Sequence, residues 1–192
     1  MIWQVPVQDP VLYLTFDDGP VSGLTEWILD ELDQFGAKAT FFCVGGNVSR
    51  QPELYSKIMA LGHRTGNHTF SHLNGYRHSV GTYVKDVYQA EGLIGSRLFR
   101  PPYGRIRPRA VRRLRQHFQI ILWDVLSMDY DQELSPAIVL NLVISKARPG
   151  SIIVFHDNLK AEKNLKYVLP QVLDHFSKLG YRFLPLDENS LK

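Results

Sequence analysis

Val11-Leu12-Tyr13-Leu14-Thr15-Phe16-Asp17-Asp18-Gly19-Pro20 is an apolar run that ends on two adjacent carboxylates and then turns. Its first six residues read as a buried strand, and Gly19-Pro20 stops it. Like charges placed beside a core need a compensating cation or acid partner, so the Asp pair asks what neutralises it. A turn in which one Asp caps the following helix is the bland alternative.

Outward from this strand, strand and helix signals alternate, the pattern of a parallel α/β arrangement. Ser22 to Phe35 carries Leu24, Trp27, Ile28 and Leu32 at helical spacing and stops at Gly36. Lys38 to Val44 is a second strand, Pro52 to Leu61 a helix, and His63 to Asn67 a short strand. Tyr83 to Ile94 is helical, Leu98-Phe99-Arg100 briefly extended, and Arg107 to His117 a basic helix with Pro108 in its first turn. Gln119 to Asp124 reads as one apolar strand, Pro136 to Lys146 as a helix and Ser151 to Phe155 as a strand. Leu165 to Leu179 is the last helix and Tyr181 to Leu184 the last strand, giving about seven units.

The compensator for the Asp pair is Asn67-His68-Thr69-Phe70-Ser71-His72, whose imidazoles stand four residues apart. That spacing predicts a helical turn presenting both rings on one side. Two His and one Asp with positions left open suit zinc, cobalt, nickel or iron in a catalytic rather than a structural role. His63 and His78 lie nearby but do not share the spacing, and they are not expected as ligands.

In order, the chain carries Thr15-Phe16-Asp17-Asp18-Gly19-Pro20, Gly66-Asn67-His68-Thr69-Phe70-Ser71-His72, Arg100-Pro101-Pro102-Tyr103-Gly104, Leu126-Ser127-Met128-Asp129-Tyr130 and Val154-Phe155-His156-Asp157. Across nearly its whole length it resembles the polysaccharide deacetylases with the NodB homology domain, carbohydrate esterase family 4. The resemblance implies a distorted (β/α)7-type barrel spanning 1–192 as one domain, with its chemistry at the C-terminal ends of the strands.

It also implies roles. Asp18, His68 and His72 would hold a divalent metal, zinc first and cobalt or nickel as alternatives, while Asp17 stays off the metal as general base. Arg100 would pair with Asp17, a planar guanidinium suiting a bidentate contact. The Tyr103 N–H would help stabilise the oxyanion. His156 would be the general acid, oriented by Asp129, with Asp157 structural. Tyr103, Tyr130, Val154 and Trp123 would line the substrate groove. The fourth block departs from the usual Asp-x-x-Asp-Trp, with Leu126 in place of the first Asp and Tyr130 in place of Trp, and Val154 stands where Leu is commoner. These positions bear on substrate identity. The implied reaction is hydrolysis of the N-acetyl group of GlcNAc units in chitooligosaccharide or peptidoglycan. An O-acetyl esterase acting on xylan and a non-catalytic glycan-binding protein are the alternatives.

The composition agrees with an ordinary globular domain: 192 residues, 44% hydrophobic and 21% charged. The single cysteine, Cys43, excludes an internal disulfide and reads as a buried strand residue. No apolar run is long enough to span a bilayer, and the N-terminal stretch has no signal-peptide pattern. The sequence as written is therefore expected in the cytoplasm, or outside it if a leader precedes it. A net charge of +3 does not argue for nucleic acid. It is uneven, however. Arg97, Arg100, Arg105, Arg107, Arg109, Arg112, Arg113 and Arg115 crowd one segment, read as a solvated face with Arg100 recruited separately, or as a basic rim for an anionic glycan.

Overall fold

A computed structural model describes residues 1–187, so the last five positions of the expected 1–192 domain, 188–192, lie outside the described residues. The elements run β1 (Val11–Asp17), α1 (Leu24–Gln34), β2 (Thr40–Cys43), α2 (Gly45–Arg50), α3 (Pro52–Ala60), β3 (Arg64–Asn67), α4 (Val80–Ile94), β4 (Leu98–Phe99) and a 3-10 turn (Pro102–Gly104). They continue α5 (Pro108–Leu114), β5 (Gln119–Ile120), β6 (Val125–Leu126), α6 (Pro136–Lys146), β7 (Ile152–His156), α7 (Glu162–Lys178) and β8 (Arg182–Phe183). Seven parallel strands in the order β5-β4-β3-β2-β1-β7-β6 curl into a half-barrel, and β8 pairs with the start of β1. This is the expected distorted barrel.

β1 lies inside the sheet and is buried along its full length, which explains why it reads as a nearly unbroken apolar run. Its residues still alternate. Leu12, Leu14 and Phe16 pack with Ile28, Leu29 and Leu32 of α1 and Leu165, Leu169 and Leu173 of α7. Val11 and Tyr13 join Phe42, Leu98, Ile121 and Ile152 in a second cluster. Successive strand side chains point to opposite faces, so Thr15 and Asp17 follow Tyr13 toward that second side. Each fully buried aliphatic side chain contributes roughly 1.5–3 kcal/mol relative to exposure. The helices supply the matching stripe: in α7 Leu165, Val168, Leu169, Val172, Leu173 and Phe176 recur at three- and four-residue intervals.

Three expectations are corrected. The histidine segment is a loop, not a helical turn, because Thr69 and His72 have φ of 65° and 54°, which a right-handed helix cannot contain. The stretch from Gln119 to Asp124 does not form one strand: β5 pairs with β4, β6 pairs with β7, and the residues between them cross from one edge of the half-barrel to the other. Finally, α2 forms where no helix was expected, since Gly45-Gly46 is a poor helix start. A side chain at Gly45 would meet the Phe70 ring at 2.9 Å and Ala90 at 3.0 Å, so close packing against the histidine loop and α4 favours glycine there.

Candidate active site

The C-terminal ends of β1, β3, β4 and β7, with the loop after β6, bring the expected residues together. In the β1–β7 ladder Asp17 is the register partner of His156, although the two are far apart in sequence. Asp17 is buried, and its Oδ1 accepts from Arg100 Nη1 at 2.7 Å. The pairing is correct but not bidentate. The same Nη1 donates to Thr15 Oγ1 at 2.7 Å and Nη2 donates to the Leu122 carbonyl at 3.1 Å, so the fork is shared among three acceptors. Arg100 itself is fully buried, with its guanidinium over the Phe42 ring at 4.1 Å and near Trp123 at 5.7 Å. A buried cation persists only when paired and hydrogen-bonded, and Nη1 and Nη2 meet that condition while Nε has no partner among the described residues.

Asp18 leaves the strand with φ of 88°. Asn47 Nδ2 donates to its carbonyl and Asn158 Nδ2 to its Oδ2, each at 2.6 Å. The other carboxylate oxygen, Oδ1, lies 3.0 Å from His72 Nε2 and 3.5 Å from His68 Nε2. Burial opposes the charge on Asp18, yet the two imidazoles outweigh it and hold the carboxyl well below the usual carboxylate range. His68 Nδ1 lies 2.8 Å from the Arg100 carbonyl, which can only accept, so that nitrogen carries a proton, and with a cation bound Nε2 would offer it a lone pair. The ligand atoms of Asp18, His68 and His72 all fall within 4.8 Å of one another. Imidazole lone pair and carboxylate oxygen facing at this range are a donor set for a divalent cation, and a backbone carbonyl holding the far ring nitrogen is the usual outer support of such a ligand. The three residues are a metal-binding triad.

The histidine loop is held from outside. The Asp86 carboxylate on α4 accepts from the Phe70 and Ser71 N–H groups at 2.9 and 3.0 Å, and Asn67 Oδ1 accepts from Thr69 N–H at 2.9 Å. The His72 ring meets Tyr103 edge-on at 4.8 Å. Tyr103, with φ of 61°, is mostly exposed at the mouth. The turn's own bonds come from Gly104 and Arg105 N–H to the Pro101 and Pro102 carbonyls, leaving the Tyr103 N–H outside them. Trp123 backs this turn, since a side chain at Gly104 would lie 3.0 Å from its ring.

His156 Nδ1 donates to Asp129 Oδ1 at 2.8 Å, and His156 N–H donates to Asp129 Oδ2 at 2.8 Å. Asp129 is fully buried and also takes the Ser127 hydroxyl at 3.0 Å, while Asn164 Nδ2 holds its carbonyl. Burial alone would lower the imidazole pKa, but the adjacent Asp129 charge and hydrogen bond, with Asp17 and Asp18 further off, raise it to about 9. The Tyr130 ring stands edge-on to His156 at 4.9 Å. Val154 is fully buried in β7, two residues before His156 and so on the same strand face. Asp157 accepts from Gly19 N–H and the Thr25 hydroxyl, each at 2.7 Å, and burial pushes its carboxyl up to about 8. These contacts give it a place in packing the β1 turn.

His63 stays apart from the site, as expected. It is buried before β3, where its Nδ1 accepts from Ala39 N–H at 3.1 Å, and burial lowers it to about 4. His78 is outside the triad as well. Cys43 is buried in β2, and burial lifts its thiol well above the ordinary range. Sequence reasoning missed Asn47, Asp86, Ser127, Asn158 and Asn164. Each acts through a contact that no local pattern announces.

A family model described as "Polysaccharide deacetylase" matches residues 4–118. A peptidoglycan-N-acetylglucosamine deacetylase of Bacillus cereus is 31% identical over 194 residues, covering 97% of this chain and 91% of the relative. Among solved structures, the Bc1960 peptidoglycan N-acetylglucosamine deacetylase, in complex with 4-naphthalen-1-yl-N-oxidanyl-benzamide, superposes with a TM-score of 0.87 at 30% identity, over 96% of this chain and 90% of that one. The peptidoglycan deacetylase PdaC from Bacillus subtilis gives 0.82 at 29% identity, over 93% and 89%. The chain belongs to the polysaccharide deacetylase family, the NodB-type carbohydrate esterase family 4.

Proposed function

We propose that this protein is a metal-dependent deacetylase that hydrolyses the N-acetyl groups of GlcNAc units in a glycan, peptidoglycan before chitooligosaccharide, and releases acetate. The observation that carries this reading is the pairing of Asp17, held by Arg100, with His156, held by Asp129, on adjacent strands beside the Asp18-His68-His72 triad. The named activity of the relatives favours peptidoglycan. A divalent cation held by the triad, zinc in our reading, would supply Lewis acidity toward water and toward an acyl carbonyl.

The chain's own residues do the rest. Asp17 takes a proton from the attacking water, and Arg100 keeps that carboxylate aimed. His156 holds a proton on its imidazole and delivers it to the departing sugar nitrogen, with Asp129 fixing Nδ1 as the donor to the carboxylate and leaving Nε2 for the transfer. The Tyr103 N–H, outside the turn's own bonds among the described residues, is available to the oxygen that becomes negative during attack. Water is consumed, and acetate and a free amine are the products. Tyr103, Tyr130 and Trp123 would form the groove walls; Val154, expected to line the groove, is fully buried in β7 and offers a substrate no surface.

Acetate release should therefore appear on peptidoglycan fragments and N-acetylated chitooligosaccharides. The Asp17→Asn variant should lose roughly 10²–10⁴-fold in kcat while its metal content, measured on the same sample, stays at the wild-type level. An active Asp17→Asn protein would remove the proposed base. Release from acetylated xylan alone would move the function to an O-acetyl esterase. Glycan binding without acetate, whatever metal is added, would make the chain a binding protein.

A further inference from the structure

We infer that Asn158 is a positioning residue for the metal site: its amide holds Asp18 Oδ2, so that Oδ1 alone is presented to the two imidazoles. The inference rests on the reading of Asp18, His68 and His72 as metal ligands. The two oxygens of Asp18 have separate partners, with Oδ1 facing His72 Nε2 at 3.0 Å and His68 Nε2 at 3.5 Å and Oδ2 taken by Asn158 Nδ2 at 2.6 Å. A carboxylate can bind a metal through one oxygen or both. A donor seated on Oδ2 keeps that oxygen out of the ligand set and fixes the plane of the other.

The orientation of the amide follows from its partners. Asn158 Oδ1 accepts from Lys160 N–H at 3.0 Å and Ala161 N–H at 3.1 Å, at the entrance to α7. Both are donors and Asp18 is an acceptor, so only one assignment of the amide satisfies all three bonds. Asn158 is therefore locked by the start of α7 and passes that fixation to Asp18. Its neighbours act on the same turn. Asp157 N–H donates to the Asp17 carbonyl at 3.0 Å and the Asp157 side chain takes Gly19 N–H, so residues 156–158 grip residues 17–19 one by one. An amide suits this task because it donates without bringing a charge to compete with a cation.

Two substitutions separate positioning from capping. Asn158→Ser keeps a short oxygen that can accept from the N–H groups entering α7 but cannot reach Asp18. Asn158→Asp keeps the size and the acceptor but turns an oxygen toward Asp18 in place of the donor. Wild type and both variants, freed of metal by chelation, are titrated with zinc against a chromophoric chelator, and the visible absorption of each cobalt(II) form is recorded. The Ser variant should bind zinc about 10–100-fold more weakly with its metal-free melting temperature unchanged, and both variants should show a cobalt spectrum shifted from wild type. Wild-type zinc affinity and an unshifted cobalt spectrum in both variants would overturn the inference while leaving the metal site standing. If the Ser variant is destabilised, the Asp variant decides, since a wild-type cobalt spectrum in it reduces Asn158 to a helix cap. A wild-type protein that takes up neither zinc nor cobalt would overturn the metal reading and this inference together.

Discussion

Asp129 gives both carboxylate oxygens to His156, one to the ring Nδ1 and one to the backbone N–H. The pair is thus a charge and an orientation supplied by one residue. Its consequence for pH dependence has a definite sign. With Asp129 ionised, His156 stays protonated up to about 9 and can act as an acid below that pH. The basic limb of the kcat/KM profile should therefore lie high, and Asp129→Asn should move it down toward the ordinary imidazole value of 6.5, because the largest influence opposing burial is gone. A pH–rate series on wild type and variant checks this, and a basic limb that does not move would remove His156 from the acid role. Leu126 and Tyr130 are positions at which the chain departs from its family. Tyr130 meets the His156 ring edge-on, so a change there bears on the ring that holds the proton as well as on the groove.

One helix and one loop set the metal site's rigidity at the next scale. Loop 68–72 contains two non-glycine residues at positive φ, a conformation that persists only when the surroundings enforce it. Asp86 of α4 does so by taking two successive N–H groups of the loop into one carboxylate oxygen. Asp86→Ala should free the loop and weaken zinc binding by roughly 10-fold or more, whereas Asp86→Asn, whose amide oxygen can still accept both bonds, should restore most of the affinity. Zinc titration of the three proteins tests it, and equal affinities would show that the loop holds itself. This loop also marks where the sequence stops being legible. The two His were found because the spacing and the residue types are local, but their backbone shape depends on Asp86 and Asn67, which only the folded chain brings near. α1, α3 and α7 were legible because a stripe of buried residues recurs along each. The break between β5 and β6 was not, because Ile121 and Leu122 are as apolar as a strand and only pairing on opposite edges of the half-barrel divides them.

For the whole molecule, a barrel of about seven units was legible from alternation and resemblance, whereas the order of its strands came only with the fold, and the gathering of the site residues at one end follows from the barrel. The arginine segment resolves into two parts. Arg100 is buried at the site, while Arg105, Arg109, Arg112, Arg113 and Arg115 are exposed on and around α5, and the ion pairs among the described residues include none of these five. An uncompensated basic face should draw an anionic polymer at low salt, with a screening length of about 8 Å at 0.15 M. Apparent KM on an anionic glycan should then rise several-fold as salt is added, with KM on neutral chitooligosaccharide unchanged. Replacing Arg109, Arg112 and Arg113 by Glu should erase the difference, and rates that ignore salt would leave the face as merely solvated. The grip of residues 156–158 on residues 17–19 has another consequence, one of order in time. All three metal ligands have been synthesised by residue 72, but the strand and side chains that aim Asp18 are made much later. A nascent chain therefore carries its ligands long before it carries their clamp, and the finished metal site is an event of the completed barrel rather than of any early piece of it.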